Sequence, residues 1–157
     1  MEKKPLDKFE EYLVAISLFI MTTIAFANVL SRKVFQASWS FTEEITANLF
    51  ILSSLIGASI AARRGNHLGL SVFTDKVSEK NQKYILLITS IAAAIFCIVL
   101  IKEGLAVTLV EKANDQRTPA LGWPEWIFGS FVPIGGVFML IRFVQNGINT
   151  FKEKGDI

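Results

Sequence analysis

The sequence has 157 residues, 52% of them hydrophobic and 19% charged, with a formal net charge of +2 and one cysteine. That near-neutral balance gives no footprint for nucleic acid, and the lone Cys97 excludes an intrachain disulfide and belongs to no metal-ligand spacing. Mean hydropathy is positive, at +0.45, and the apolar residues fall in blocks with the charges between them, which excludes a soluble domain built around one core.

Residues 1–12 are short and charged, and Leu13 to Leu30 is the first apolar block, with Asn28 its only amide. The basic start, the apolar run and Ala25-Phe26-Ala27 imitate a secretory signal. Asp7, Glu10 and Glu11 make the leading segment mixed in charge, so the block is read as a retained spanning helix. The linker from Ser31 to Trp39 is short enough to force an antiparallel hairpin.

Ser40 and Glu43 then stand at capping-box spacing, and Ile45 to Ala62 carries no ionisable side chain. A helix of that length rises ~27 Å, close to the ~30 Å hydrocarbon thickness of a bilayer. Arg32 ends the first helix where Glu43 and Glu44 begin the second. One expectation is a salt bridge between them; a compatible one is that Ser40 and the two glutamates cap the helix and favour its dipole. Arg63-Arg64-Gly65 ends the span, with Gly65 suited to a left-handed C-cap.

Leu70, Phe73 and Val77 recur at helical spacing in a polar segment, which predicts a short interfacial helix over about 69–80. Tyr84 to Ile101 is the third block. Lys102 and Glu103 follow, yet apolar residues continue to Val110, so this helix is expected to tilt or to project beyond the hydrocarbon. The loop from Glu111 to Trp126 is punctuated by Thr118-Pro119, Gly122 and Trp123-Pro124. Trp126 to Ile141 is the fourth block. Pro133 should kink it, Gly135 and Gly136 follow, and Arg142 closes it. The fold class is therefore an all-α membrane protein, one membrane domain over 1–157, with spans near 13–31, 43–63, 84–108 and 125–145.

Eleven of the sixteen lysines and arginines fall on the side of the N-terminus, the second loop and the tail. The positive-inside rule then puts both termini in the cytoplasm and Trp39, Trp123 and Trp126 at the outer interface, where their amphipathic rings are favoured.

No catalytic constellation emerges. The four apolar blocks contain no Asp, Glu, Lys, Arg or His, which argues against a proton-coupled carrier. His67 lacks partners for a metal, and no Ser-His-Asp set, phosphate loop or HExxH pattern is present. Thr22, Thr23, Asn28, Asn48, Ser53 and Ser54 are ordinary interhelical hydrogen-bonding groups. Small residues form stripes: Ser53, Gly57 and Ala61, and Ser54, Ala58 and Ala62. These stripes, and Gly135 with Gly136, serve either packing within the chain or docking onto another membrane protein.

Specific runs add a resemblance. N-V-L-S-R (Asn28 to Arg32), S-F-T-E-E (Ser40 to Glu44), G-A-S-I-A-A-R-R-G-N-H-L (Gly57 to Leu68) and T-P-A-L-G-W-P-E-W (Thr118 to Trp126), with Pro133-Ile134-Gly135 and Arg142 beyond, resemble the small membrane subunit of the tripartite ATP-independent periplasmic (TRAP) transporters. The likeness covers about residues 10 to 145 and departs from the family pattern at Gly69-Leu70. It implies a non-enzymatic subunit of the bacterial inner membrane, with both termini cytoplasmic, that binds no substrate and no cofactor. It implies three kinds of partner: membrane lipids, a large multi-span subunit that uses sodium ions, and a periplasmic binding protein that delivers an organic acid. Sialic acid and a C4-dicarboxylate both remain open as that acid. Under this reading Ser53, Gly57, Ala58, Ala61, Gly135 and Gly136 face the large subunit. Arg32, Lys33, Asp115 and Arg117 face the binding protein, beside tryptophans that could equally anchor helix ends. Arg32, Ser40, Glu43, Glu44, Gly65 and Pro133 are structural. The rival from another class is a self-contained four-helix transporter or multidrug exporter, which would need a membrane-embedded carboxylate.

Overall fold

The computed structural model describes residues 5–63 and 79–153, with side chains described over 5–63, 88–145, 147 and 148. Helix α1 (Pro5–Val34) and helix α2 (Phe41–Arg63) form an antiparallel pair, followed by α3 (Glu79–Ala113), a short α4 (Glu125–Gly129) and α5 (Phe131–Glu153). Four stretches are long and apolar enough to cross a membrane: α1, α2, Ile88–Ala113 of α3, and Glu125–Gln145 across α4 and α5. Among the described residues there is no strand, only an isolated bridge between Arg117 and Pro124. Except for its last two residues, which already belong to α3, the expected interfacial helix lies outside the described residues, as does Gly65.

The helices form a row rather than a closed bundle. α1 packs chiefly on α2, α2 on α5, and α5 on α3, so that α2 and α5 are central. In the most apolar windows only 6% of α1 and 11% of α3 is buried, against 22% of α2 and 28% of the α4–α5 span. The exposed surfaces are large and apolar, with Phe19 73% exposed, as they must be against lipid tails or another membrane protein.

The inward faces are polar or small, the reverse of a soluble helix. On α1 the buried residues are Glu10, Ser17 and Ser31; on α2 they are Thr42, Ser53, Ile56, Ser59 and Ala62. Lipid gives no hydrophobic force between helices, so close approach and hydrogen bonds select the interior. Gly135 shows how close that approach is: a Cβ there would lie 2.5 Å from Leu55 Cβ on α2. At Gly136 it would lie 2.9 Å from Ile101 Cγ1, and at Gly104 3.0 Å from Pro133 Cδ.

The α1–α2 turn is built from the Asn28 amide. Its Oδ1 accepts from the Trp39 backbone N–H at 2.9 Å, and its Nδ2 donates to Thr42 Oγ1 at 2.8 Å. Thr42 in turn donates its hydroxyl to the Trp39 carbonyl at 2.6 Å, and Ser31 donates to the Ala37 carbonyl at 3.0 Å. The expected Ser40–Glu43 side-chain box does not form: Ser40 contributes its carbonyl, which accepts the Glu43 N–H at 3.3 Å. The first-turn N–H groups of Thr42 and Glu43 bond to backbone carbonyls, while Asn28 ties the helix start to the neighbouring helix.

The fourth span is interrupted at Ser130. Pro133 offers no N–H to the Gly129 carbonyl four residues back and its ring crowds that carbonyl, so the break falls one turn before the proline. The span continues as α5 because Ser130 N–H donates to the Trp126 carbonyl and Ile134 N–H to the Ser130 carbonyl.

Register places Lys102 and Glu103 relative to the other helices. Leu55 lies near the middle of the apolar run of α2 and meets Gly135, while Ile101 meets Gly136 and Gly104 meets Pro133. Lys102 and Glu103 therefore stand level with the centre of α2. The third span runs on to Ala113.

Candidate partner-binding surfaces

At the end of the row where α2 finishes, five charged side chains converge. Arg142 on α5 grips Glu10 on α1 in a fork: Nε donates to Oε1 at 3.0 Å and Nη2 to Oε2 at 2.7 Å. Nη2 also reaches Asp7 Oδ1 at 2.8 Å, and Nη1 donates to Gln145 Oε1 at 3.1 Å. Ser59 on α2 donates to Glu10 Oε1 at 3.0 Å. Arg63 donates to Glu11 at 2.9 Å, and its Nη1 lies 2.9 Å from Asp7 as a close ion contact rather than an aligned hydrogen bond. Glu10 is fully buried and Arg142 is 2% exposed. Such a fork satisfies both charges where water cannot, and it locks α1, α2 and α5 together. This is a structural clasp. Among the described residues every charge in it faces another.

At the opposite end, where the three tryptophans lie, the 114–124 loop folds on itself. Thr118 N–H donates to the Trp123 carbonyl and Gly122 N–H to the Thr118 carbonyl, both at 2.9 Å. Gly122 has φ +66°, which only glycine adopts without strain. The Glu44 carboxylate reaches from α2 to this loop and accepts the N–H groups of Ala120 at 2.6 Å and Leu121 at 3.1 Å. The salt bridge expected between Arg32 and Glu43 or Glu44 is absent among the described residues, because Glu44 is occupied by the loop. Trp123 stacks on Phe128 at 6.3 Å, and Lys112 sits 5.3 Å above the Trp126 ring.

The fold leaves a charged rim at this end. Arg32 and Lys33 are exposed in the last turn of α1. Asp115 and Arg117 pair with each other at 3.4 Å while remaining 79% and 57% exposed. They hold nothing else in place except for a 3.3 Å bond from Arg117 to the Gly122 carbonyl.

The small-residue surfaces divide. Ser53, Gly135 and Gly136 are buried within the chain, which places them in internal packing instead of on a partner surface. Gly57 meets nothing within 4 Å of an added Cβ, Ala58 is half-buried and Ala61 is exposed. The stripe drifts across α2 because a four-residue repeat precesses around a helix of 3.6 residues per turn.

Between α2 and α3, floored by α4 and α5, lies an open groove of about 380 Å³. Its polar lining is Asn48, Glu103, Glu111, Thr118 and Glu125. One Glu111 carboxylate oxygen is buried against Gly129 and accepts no hydrogen bond among the described residues. Sequence reading missed both this groove and the role of Glu10. The groove brings together helices far apart in sequence. For Glu10 a signal existed in its alignment with Ser17 and Ser31, seven and twenty-one residues further along, on one face of α1.

Comparison with known proteins agrees with this architecture. Residues 21–153 match the family model described as the DctQ component of tripartite ATP-independent periplasmic transporters. The chain is 26% identical to the sialic acid TRAP transporter small permease protein SiaQ of Vibrio cholerae over 157 residues, covering 97% of this chain and 87% of that one. It is 25% identical to the ectoine TRAP transporter small permease protein TeaB of Halomonas elongata over 149 residues, 95% of this chain and 77% of the other. Against the sialic acid TRAP transporter permease protein SiaT of Haemophilus influenzae it is 28% identical over 95% of its own length, yet it spans only 24% of that longer chain. A multi-pass membrane protein, it belongs to the DctQ component family of the tripartite ATP-independent periplasmic transporters.

Proposed function

We propose that this chain is the small permease subunit of a sodium-driven importer of an organic acid. A soluble binding protein delivers the acid, and a larger membrane subunit moves it and uses the sodium. The small subunit steadies the larger one in the bilayer and offers part of the outer face to the binding protein. The observation that carries this reading is the open row of helices, whose outer spans bury only 6% and 11% of their most apolar windows within the chain. Such a row closes no substrate path by itself and suits a scaffold packed against something larger. The SiaT relative supports the same division, since three quarters of its length lies outside the region like this chain. Two of the relatives named are sialic acid proteins, which supports an acid carried as its carboxylate.

The self-contained exporter has one feature in its favour, the mid-depth carboxylate of Glu103. That group lies on an open groove beside Lys102 at 3.5 Å, without the enclosed cavity that alternating access needs.

The orientation follows from the lysine and arginine count, with the tryptophan end outside the inner membrane. Single cysteines at Ser38 and Gln116 in a Cys97→Ala background should react with an impermeant thiol reagent in intact cells. Labelling at Ser78 in their place would reverse it. The exposed rim is then the docking surface. In liposomes holding both membrane subunits, Asp115→Lys with Arg117→Glu should raise several-fold the binding-protein concentration for half-maximal uptake, since rim charges act on encounter. An unchanged titration would remove the rim from docking.

A further inference from the structure

The charges at Lys102 and Glu103 lie where lipid cannot cover them. Lys112 above the Trp126 ring marks the interface at one end of α3, and Glu103 is nine residues deeper, ~14 Å along the helix. Half the hydrocarbon thickness is ~15 Å. Contacts of Leu55 with Gly135 and of Ile101 with Gly136 give the same level independently. At this depth Lys102 and Glu103 are 80% and 63% exposed on the chain's own surface. A glutamate has no stem long enough to reach the headgroups, and a lysine beginning at mid-depth falls short too. Charged side chains in a span face protein or a watered cavity, not hydrocarbon.

Resting on the subunit reading above, we propose that the α2–α3 groove is the seat of a spanning helix of the large permease subunit, which brings a cation or hydrogen-bond donors opposite Glu103 and Glu111. The groove's charged lining is wholly acidic, with Glu103, Glu111 and Glu125 and no basic residue, so the occupant is complementary in sign. Glu111, next to Lys112 at the interface end, lies in the same lining, with one oxygen buried against Gly129 and unbonded among the described residues. The groove has no roof because α2 and α3 are held apart by α5, and a helix laid along it would close the row into a bundle. Asn48 and Thr118 supply further polar groups along its length. The Gly57–Ala61 side of α2, half-buried at Gly57 and exposed at Ala61, is a separate surface and is not part of this seat.

A photo-crosslinking residue at position 103, in the chain co-expressed with its large subunit, tests the seat. The control position is Phe19, exposed on α1, the outer helix at the other end of the row from α3. An adduct with the large subunit from 103 and none from 19 is expected. Adducts from 103 only with lipid, or with a second copy of this chain, overturn the proposal. In parallel, Glu103→Leu with Lys102→Leu makes the helix more apolar and leaves the internal contacts untouched. Co-purification with the large subunit should fall roughly three- to tenfold, the effect of losing a polar interhelical contact of usual strength. Undiminished co-purification overturns the proposal, since an apolar face would then serve equally well. If the unsubstituted chain does not co-purify with the large subunit at all, the subunit reading itself has failed. If it co-purifies but 103 gives no adduct with it, only the seat has failed.

Discussion

Arg142→Leu should leave a chain that inserts but does not hold its helices together. The substitution strands the Glu10 carboxylate at a fully buried position and removes the fork that joins α1 to α5. Breaking a buried pair by removing one partner costs about 3–5 kcal/mol, because the remaining charge has neither water nor a counterion. Ser59 still donates to Glu10, and Arg63 still contacts Asp7, but neither replaces a guanidinium. Thermal unfolding of the detergent-purified protein should shift strongly downward for Arg142→Leu. Arg142→Lys should fall between, since an ammonium cannot make the bidentate contact. Adding Glu10→Leu to Arg142→Leu should recover most of the loss, as apolar replacement of a whole buried pair is often neutral or better. A single variant as stable as the parent would show that the clasp contributes nothing to the fold.

Leucine at Gly135 and leucine at Gly57 should have opposite consequences for the isolated chain. At Gly135 the first added atom already lies 2.5 Å from Leu55 Cβ, so α2 and α5 must separate along the most buried seam of the row. Overpacking costs of about 1–3 kcal/mol are typical, and a leucine between two close helix backbones belongs at the upper end. At Gly57 nothing lies within 4 Å, and exchanging glycine for leucine in a helix interior favours the helix by a few tenths of a kcal/mol to ~1 kcal/mol. Melting of the two purified variants should therefore diverge, with Gly135→Leu destabilised and Gly57→Leu unchanged or stabilised. Equal destabilisation by both would mean that Gly57 is packed within the chain.

The contrast between those glycines shows what could be read in advance. The four spans, their order and the hairpin of the first two followed from blocks of apolar residues and short linkers. Pro133 announced the interruption in the last span, which the structure places one turn earlier, at Ser130. Composition marked Gly57, Gly135 and Gly136 alike as places of close approach, but which neighbour approaches depends on helix order, and α5 lies between α2 and α3. Arg142 and Glu10 are separated by 132 positions, so nothing local pairs them. Their neighbours suggested only block ends. Lys102 and Glu103 fall inside the expected third span, and only the contacts of Gly104 and Gly136 set them level with the centre of α2. At the tryptophan end the sequence put Glu44 beside Arg32, whereas two backbone N–H groups of the long loop offered it a better-matched site. The charged rim was legible because exposed loop charges need no tertiary contact to be recognised.

The central claim is that this chain serves a transporter without being one. Proteoliposomes with a sodium gradient, a labelled organic acid and the binding protein test it most directly. They would contain this chain alone, the large subunit alone, or both. Uptake should equal that of empty liposomes for this chain alone and should be greatest when both subunits are present. Sodium-dependent accumulation by this chain alone would contradict the account and return the mid-depth carboxylate of Glu103 to the role of a carrier's own site.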